Sequence, residues 1–167
     1  MKMLTVCVLL CAMMALATAQ SGPEEQTDLV KRTCRCPCGW TRIRGRCFRY
    51  VPYCRRWADA EKYCHYLGGN LASIHNYCEY RAIQRLIACT SRSWYTVAWI
   101  GGHDAAQEGT WLWTDGTTFR YRYWCRGEPN NGACRGQHCI QMNYSGNRCW
   151  DDDNCQKKKP FVCVRRR

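Results

Sequence analysis

Residues 57–69, WADAEKYCHYLGG, contain a pattern that is typical of an amphipathic helix. The pair Gly68-Gly69 ends the pattern, because glycine is a frequent residue just beyond a helix. The apolar residues recur at the three- and four-residue spacing that places side chains on one helix face: Trp57, Ala60, Cys64 and Leu67. The sequence therefore predicts a helix over 56–67 whose buried face carries a cysteine.

A second helix is predicted to begin after Asn76, a residue type that favours the N-cap position. Glu79 follows three residues later and completes the sequence pattern of a capping box. The apolar stripe of this helix consists of Tyr80, Ile83 and Ile87. Short extended runs elsewhere predict strands: 46–51, 97–101, 110–113, 138–144, 148–151 and 160–164. Together these patterns predict one domain, in which the stretch from about 105 to 136 is a long loop held by cysteines or metal.

The N-terminus has the features of a secretory signal peptide over residues 1–19. Lys2 precedes an uncharged apolar run over 4–17, and Ala17-Thr18-Ala19 is a small-x-small cleavage site. A membrane anchor is the alternative, but the run is shorter than the roughly 20 residues that span a bilayer. We therefore expect a secreted, extracellular protein without a membrane span, divided as follows: 20–33 a flexible arm, 34–164 the domain, 165–167 a basic tail.

Cleavage of the leader removes Cys7 and Cys11 and leaves fourteen of the sixteen cysteines. An even number of cysteines in an oxidising compartment predicts disulfides, whereas the same residues in the cytosol would suggest metal binding. The run Cys34-Arg-Cys36-Pro-Cys38 has the look of a thiolate metal cluster, but no second cysteine or histidine cluster supplies the remaining tetrahedral ligands. Disulfides are therefore expected throughout the domain.

The chain carries a formal net charge of +12, which falls to about +11 when Lys2 leaves with the signal peptide. A basic secreted protein can bind polyanions such as sulfated glycans or anionic microbial surfaces. The same charge can also serve solubility alone, so it identifies no partner by itself. We expect no nucleic-acid partner.

Nine segments of the chain follow one family pattern, in order and at compatible spacing: Cys36–Trp40, Cys47-Phe48, Trp57–Cys64, Gly69–Ile74, Trp99–Gly101, Trp111–Gly116, Glu128–Asn130, Cys149–Asp152 and Phe161–Cys163. They resemble the C-type lectin-like domain family over about 34–164. The leader and the segments GNLASIH (69–75) and WIGGHD (99–104) are most similar to the small secreted fish lectins, ladderlectin-like and nattectin-like, and to type II antifreeze proteins. The resemblance implies an α+β, disulfide-rich fold of two helices, small antiparallel sheets and a long loop region.

The resemblance also implies a disulfide framework: Cys36–Cys47, Cys64–Cys163, Cys139–Cys155 and, by similarity to the antifreeze group, Cys125–Cys149. Six cysteines remain, and their pairing cannot be read from the sequence because six residues allow many connectivities. One of them could join two chains, so a homo-oligomer stays open. The six are Cys34, Cys38, Cys54, Cys78, Cys89 and Cys134.

A binding site for one calcium ion is implied as well, since sugar-binding family members use this cofactor. In those members the proline of Glu128-Pro129-Asn130 is cis and turns its neighbours toward the ion, while Asp151 and Asp152 belong to the second ligand segment. Carboxylate and amide oxygens are the ligands that calcium prefers. The alternative is an ordinary turn at 128–130 and an acidic surface loop at 151–153. The two segments together favour this ligand set: Glu128, Asn130, Gln137, Asp151 and Asp152.

Two positions depart from the family pattern, because Gln137 stands where Glu is usual and Asp151 where Asn is usual. One extra residue also separates Asn130 from Cys139. The exchange keeps three carboxylates among five ligands, so the ligand charge that controls calcium affinity is unchanged, although whether Gln137 still binds the ion stays open. Carboxylates only accept hydrogen bonds whereas amides also donate. The resemblance implies a mannose-type Glu-Pro-Asn motif, and we expect the exchanges to alter its specificity; the implied sugar-binding residues are Glu128, Asn130, Gln137 and Asp151.

These features predict a secreted, calcium-dependent lectin of innate defence that binds microbial or glycoprotein glycans and is not an enzyme. No nucleophile or zinc spacing surrounds the four histidines: His65, His75, His103 and His138. One alternative is a calcium-independent lectin-like domain that binds polyanions or proteins. Another is a type II antifreeze-like ice-binding protein, which several arginines disfavour because ice binding requires a weakly charged face: Arg42, Arg44, Arg46, Arg120, Arg122, Arg126 and Arg135.

Asn143-Tyr-Ser145 is a glycosylation sequon. It lies at the end of a predicted strand, where burial would hinder attachment. The sequence leaves both readings of Asn143 open, a glycosylated residue or a hydrogen-bonded strand-end residue.

Overall fold

The computed structural model describes residues 36–132 and 136–165. The predicted signal peptide (1–19), the predicted arm (20–33) and the last two residues of the basic tail lie outside this part of the chain. Both predicted helices are present, α1 (Trp57–Tyr66) and α2 (Tyr77–Ser91). The strands are β1 (Thr41–Ile43), β2 (Arg46–Arg55), β3 (Asn70–Leu71), β4 (Ala98–His103), β5 (Leu112–Trp113), β6 (Cys139–Tyr144), β7 (Cys149–Asp153) and β8 (Lys159–Arg165). Across the described residues, neither helix combines the length and the apolar character needed to cross a membrane.

All these strands belong to one connected sheet in the order β1-β2-β8-β4-β6-β7, with β3 paired to β8 and β5 paired to β4. Neighbouring strands are antiparallel except β4 and β8, which are parallel with Trp99 opposite Phe161. This pair joins β1, β2 and β8 to the β6–β7 hairpin, so the small antiparallel sheets that the resemblance implies form one mixed sheet. The α+β class is confirmed. Strands β1 and β3 were not predicted, because three and two residues are too short to show alternation.

Helix α2 begins as predicted, with the Asn76 side chain accepting a hydrogen bond from the Glu79 N–H at 2.9 Å. The Glu79 carboxylate differs from a capping box, because it accepts from the His75 N–H at 2.8 Å and pairs with Arg46 at 2.6 Å. The sequence predicted Arg46 as part of an exposed charged surface. Its side chain is instead largely buried against Glu79. The predicted apolar stripe is fully buried: Tyr80, Ile83 and Ile87.

The long connection between β5 and β6 packs around Trp150 of β7, whose side chain is fully buried. Five aromatic rings have centroids between 5.6 and 6.1 Å from the Trp150 ring: Tyr80, Trp113, Phe119, Tyr121 and Trp124. A disulfide, Cys125–Cys149, holds the same connection to the start of β7. The sequence predicted that cysteine or metal would restrain this loop, and aromatic packing is the restraint it missed.

The structure contains the four disulfides that the resemblance implies: Cys36–Cys47, Cys64–Cys163, Cys125–Cys149 and Cys139–Cys155. The second of them ties the buried face of α1 to β8. Four other cysteines in the described residues have free, exposed thiols: Cys38, Cys54, Cys78 and Cys89. Cys34 and Cys134 lie outside the described residues.

Candidate functional site

The acidic residues of β7 lie inside the sheet and not in a surface loop. Asp151, Asp152 and Asp153 are 5%, 1% and 3% exposed. In the β6–β7 hairpin Asp151 pairs with Gln141, and the Cys139–Cys155 disulfide closes the hairpin at its open end. The alternative of an acidic surface loop is therefore wrong, because three consecutive carboxylates are buried in a strand.

The Glu128-Pro129-Asn130 segment docks on β7 through its backbone. The Glu128–Pro129 peptide bond is cis. The backbone N–H groups of Asn130 and Asn131 donate to the two carboxylate oxygens of Asp152, at 2.9 and 2.6 Å. The Asn130 side chain is exposed, and its Oδ1 accepts from the Gly132 N–H at 2.6 Å. Asp152 thus connects the two segments that the sequence predicted to converge.

The two segments bring together an acidic cluster, formed by Glu128, Asp151 and Asp152. One carboxylate oxygen from each of the three residues lies within 4.8 Å of the others. Burial, and then the charges of Asp151 and Asp152, raise the pKa of Glu128 to about 7. Burial also raises the pKa of Asp151. Both shifts follow from placing like charges close together away from water, which disfavours the ionised forms.

Several oxygens around the acidic cluster have no hydrogen-bond donor. Within the described residues, Glu128 Oε2, Gln137 Oε1 and Gln141 Oε1 are buried and unpartnered. Gln141 belongs to the site because its amide donates to Asp151. The sequence missed Gln141, although its place opposite Asp151 in a predicted hairpin could have indicated it. Carboxylate and amide oxygens without protein partners are the donor set that suits calcium, so the side chains present fit this ion.

The predicted ligand Gln137 is held between the loop and β7. Its Oε1 lies 2.6 Å from the position that a Cβ on Gly132 would occupy, and Gly132 has a positive φ of 55°. Its amide donates to Asp153 at 3.3 Å. Although burial raises the pKa of Asp153, hydrogen bonds from Lys157 and Lys159 hold that pKa below its ordinary value. Asp153 is thus paired with two lysines, and it is not a member of the acidic cluster.

A second group of ionisable residues, which the sequence did not predict, flanks the acidic cluster. His138 Nδ1 lies 3.0 Å from Asp104 Oδ1 and 3.6 Å from Glu108 Oε2. The Asn131 amide donates to Glu108 at 2.7 Å. The four-residue spacing of the two acids was the only local indication of this group. Through Asn131 it attaches the 128–132 loop to the β4–β5 connection.

Asn143 is buried within its glycosylation sequon. Its amide nitrogen donates to the Thr96 carbonyl at 3.0 Å, and its oxygen accepts from Gln84 at 3.0 Å. The side chain is 2% exposed. The folded domain therefore has Asn143 as a hydrogen-bonded strand residue, which is one of the two readings that the sequence left open.

Comparison with known proteins identifies the architecture that carries this site. The family model described as the Lectin C-type domain matches residues 54–165. The matched residues include the Glu128–Asn130 segment, the β6–β7 hairpin and all three members of the acidic cluster.

Two lectins and an antifreeze protein are among the relatives. Ladderlectin from Oncorhynchus mykiss is 37% identical over 176 residues, covering 96% of this chain and 92% of its own. The galactose-specific lectin nattectin from Thalassophryne nattereri is 40% identical over 135 residues, covering 81% and 83%. The crystal structure of a calcium-independent type II antifreeze protein superposes with a TM-score of 0.71 at 36% identity, covering 79% of this chain and 95% of that one.

Proposed function

The chain belongs to the C-type lectin domain family, whose members are non-enzymatic carbohydrate-binding domains, and we propose that it is a secreted lectin that binds glycans through one calcium ion. The observation that carries this proposal is the acidic cluster, in which two buried carboxylates and the half-buried Glu128 converge beside unpartnered oxygens. Buried charge without a counter-charge is costly. A divalent cation would offset the repulsion and satisfy the free oxygens together.

The charged ligands would be Glu128, Asp151 and Asp152, and the side-chain oxygens of Asn130 and Gln137 complete the predicted set. When bound, the ion would supply a positive charge that accepts sugar hydroxyl oxygens as further ligands. Asp152 has a second role, because it also accepts the two backbone N–H groups that orient the 128–132 loop. Loss of its charge would therefore weaken both the ligand set and the loop.

Sugar preference is expected to depend on the two exchanged positions, Gln137 and Asp151. The Glu-Pro-Asn motif is of the mannose type, but an amide now stands where the family has an acceptor, and a carboxylate where it has a donor. The matched variant is Gln137→Glu/Asp151→Asn, which restores the family pattern without changing the ligand charge. On a glycan array we expect this variant to shift toward mannose relative to the wild type. Ordinary mannose preference in the wild type would show that the exchange has no effect.

Calorimetry on the oxidised, purified protein tests the calcium site directly. We expect one ion per chain, and glycan binding that disappears when a chelator is added. The control is Asp153→Asn, which removes a carboxylate outside the acidic cluster and should still bind the ion. Failure of the wild type to take up calcium at millimolar concentration would contradict the proposal.

Ice binding is the second candidate, because a calcium-independent antifreeze protein shares the fold. Five of the arginines that disfavour this function are exposed: Arg42, Arg44, Arg120, Arg122 and Arg126. A charged surface keeps ordered water and opposes contact with an ice face. Thermal hysteresis of the calcium-free protein would favour this candidate, and none is expected.

Useful affinity for a surface of repeated glycans would require several sites, since linked weak sites gain from multivalency. The free thiols at Cys38, Cys54, Cys78 and Cys89 offer covalent links between copies of the chain in an oxidising compartment. A secreted homo-oligomer recognising microbial or glycoprotein glycans in innate defence is the setting that we propose. Electrophoresis with and without reductant distinguishes disulfide-linked oligomers from a monomer.

A further inference from the structure

Away from the acidic cluster, a cleft lies at the turn end of the β6–β7 hairpin. It is lined by two arginines and two aromatic residues: Arg81, Trp94, Tyr95 and Arg148. Its volume is about 320 Å³. Trp94 is 45% exposed and Tyr95 65% exposed, so both rings offer a face to solvent. The Arg148 guanidinium lies 5.4 Å from the Trp94 ring centroid and 6.0 Å from that of Tyr95. We call this set the arginine–aromatic cleft.

Buried polar groups contact Arg81 through its side chain and Arg148 through its backbone. Gln84, which is 2% exposed, accepts from the Arg81 guanidinium at 2.9 Å and donates to the Arg148 carbonyl at 3.0 Å. Tyr80 donates to the same carbonyl through its hydroxyl. One buried amide therefore fixes the Arg81 guanidinium and the backbone of Arg148, and both residues line the same cleft before any ligand binds.

The connection that carries the two aromatic residues is also restrained. Ser91 Oγ donates to the Ser93 carbonyl at 3.0 Å, and Thr96 Oγ1 donates to Ser91 Oγ at 2.9 Å. The Asn143 amide donates to the Thr96 carbonyl at 3.0 Å. These bonds anchor the residues on both sides of Trp94 and Tyr95. A pre-formed cleft loses less conformational entropy when it binds a ligand.

The two arginines of the cleft have no carboxylate partner in the part of the chain that the structure describes. Over residues 36–132 and 136–165, no carboxylate oxygen lies within 4 Å of the Arg81 or Arg148 guanidinium, whereas Arg46 pairs with Glu79 at 2.6 Å. Arginine binds sulfate and carboxylate groups through paired N–H donors. Indole and phenol faces pack against the C–H faces of sugar rings. The cleft thus combines recognition of an anion with recognition of a sugar ring.

We propose that the arginine–aromatic cleft binds acidic saccharides, which are sugars that carry sulfate or carboxylate, independently of calcium. The volume is at the lower limit of ligand sites, about 300 Å³, and suits one or two sugar rings. The cleft is compact, with two aromatic side chains beside two arginines. This arrangement fits a short acidic saccharide better than it fits a long polymer chain, which would need an extended basic strip. The cleft is separate from the calcium site, since Arg148 lies in the turn before β7, whereas Asp152 lies within that strand, three residues or about 10 Å beyond Cys149 at about 3.3 Å per residue.

The test is calorimetry of the full secreted protein with a heparin-derived hexasaccharide, in chelator so that the calcium site cannot contribute. We expect Arg81→Gln/Arg148→Gln to weaken binding about a hundredfold, because each of the two charge-assisted contacts contributes roughly tenfold. The charge-matched control is Arg120→Gln/Arg122→Gln, which removes two exposed arginines elsewhere and should change affinity less than twofold. Equal losses in the two double variants would overturn the proposal, since they would indicate non-specific attraction.

A second arm tests the aromatic face and the ligand class. Trp94→Ala should weaken hexasaccharide binding about fivefold, roughly 1 kcal/mol for one lost aromatic contact, while Trp94→Tyr keeps a ring and should retain most of it. A carboxylated, unsulfated hexasaccharide distinguishes carboxylate from sulfate, and binding of either one supports the proposal. Equal binding of a neutral hexasaccharide, or of anionic phospholipid vesicles with the same dependence on Arg81 and Arg148, would overturn it. Asp152→Asn should leave every one of these affinities unchanged, so failure here and failure of the calcium proposal are distinguishable.

Discussion

The two ends of the β6–β7 hairpin carry opposite charge, and they differ in how far that charge is removed from water. At one end Asp151 and Asp152 are buried against Glu128, and the pKa of Glu128 is raised by burial first and then by the charges of Asp151 and Asp152. At the other end the Arg148 guanidinium lies over exposed Trp94 and Tyr95 rings and has no acidic partner in the described residues. A cluster of like charge that is removed from water is stabilised by a counter-ion or by protonation, whereas a half-buried cation on aromatic faces needs neither. The two proposals, one metal-dependent and one metal-independent, therefore rest on opposite ends of one hairpin.

The largest expected effect comes from the disulfides at the two ends. Cys139→Ser/Cys155→Ser opens the acidic end, and Cys125→Ser/Cys149→Ser opens the turn end. Each should lower the free energy of unfolding by about 3 kcal/mol, the value for a loop of about 15 to 25 residues, as measured by chemical denaturation. Under native conditions, the first should abolish calcium binding and spare hexasaccharide binding. Loss of both functions in both variants would show that the two ends are not independent.

The next effect separates charge from shape at the acidic end. Asp152→Asn keeps the side-chain size but removes one of three ligand charges, and we expect calcium affinity to fall about 100-fold, equivalent to about 2.7 kcal/mol. Titration calorimetry measures the change, with Asp153→Asn as the control of equal charge. An unchanged affinity in Asp152→Asn would remove this residue from the ligand set.

Calcium should also stabilise the fold through its binding. At a free concentration about 100 times the dissociation constant, one ion that binds only the native state adds about 2.7 kcal/mol. Denaturation with calcium and with chelator measures this difference in the wild type. In Asp152→Asn at the same calcium concentration the gain in stability should fall below about 0.5 kcal/mol. The free calcium concentration is then close to the dissociation constant of the variant, which is about 100 times higher. A full gain in the variant would mean that the ion binds elsewhere.

A smaller effect is expected from Gly132→Ala, which places a methyl group against the Gln137 side chain. The residue has a φ of 55°, and a methyl group there would lie 2.6 Å from Gln137 Oε1. We expect a loss of about 1 kcal/mol from the left-handed backbone, and a fivefold fall in calcium affinity if Gln137 is a ligand. Gly127→Ala is the control, since it also has a positive φ but no atom within 4 Å of the added carbon. Equal calcium affinities in the two variants would exclude Gln137 from the site.

We expect no glycan on Asn143, which lies in β6 of the same hairpin. Asn143 uses its amide for two internal hydrogen bonds, so the sequon should stay unmodified. Ser145→Ala removes the sequon without changing Asn143, and mass spectrometry of the secreted protein should show only the loss of one oxygen atom. A larger loss of mass would mean that a glycan is attached before the strand folds.

Much of the local structure was predictable from the chain alone. The stripe of Tyr80, Ile83 and Ile87 predicted α2, and all three side chains are fully buried. Each of the six predicted extended runs overlaps a strand. The exceptions are informative, because β1 and β3 are too short for alternation to appear. The Glu79 side chain departs from the capping box because Arg46, 33 residues away in the chain, attracts its carboxylate.

The candidate site was predictable in its segments but not in its atoms. Glu128, Asp151 and Asp152 were expected to converge, and one oxygen of each lies within 4.8 Å of the others. Gln141, the group of Asp104, Glu108 and His138, and the arginine–aromatic cleft were all missed. Each of them depends on strand register or on contacts between distant segments, and neither is encoded in local spacing. The ligand roles of Asn130 and Gln137 stay predictions.

By itself the amino-acid sequence determined where both helices and six of the eight described strands form, which segments carry candidate oxygen ligands, and that the cysteines suit an oxidising compartment, because those properties depend on neighbouring residues. Only the tertiary structure decided which oxygens lack donors, which carboxylates repel one another, and which arginines stay unpaired. Those properties depend on burial and on distances between residues far apart in the chain. The physical reason is that exclusion from water sets the energy of a charge or a free polar atom, and exclusion from water exists only after the chain has folded.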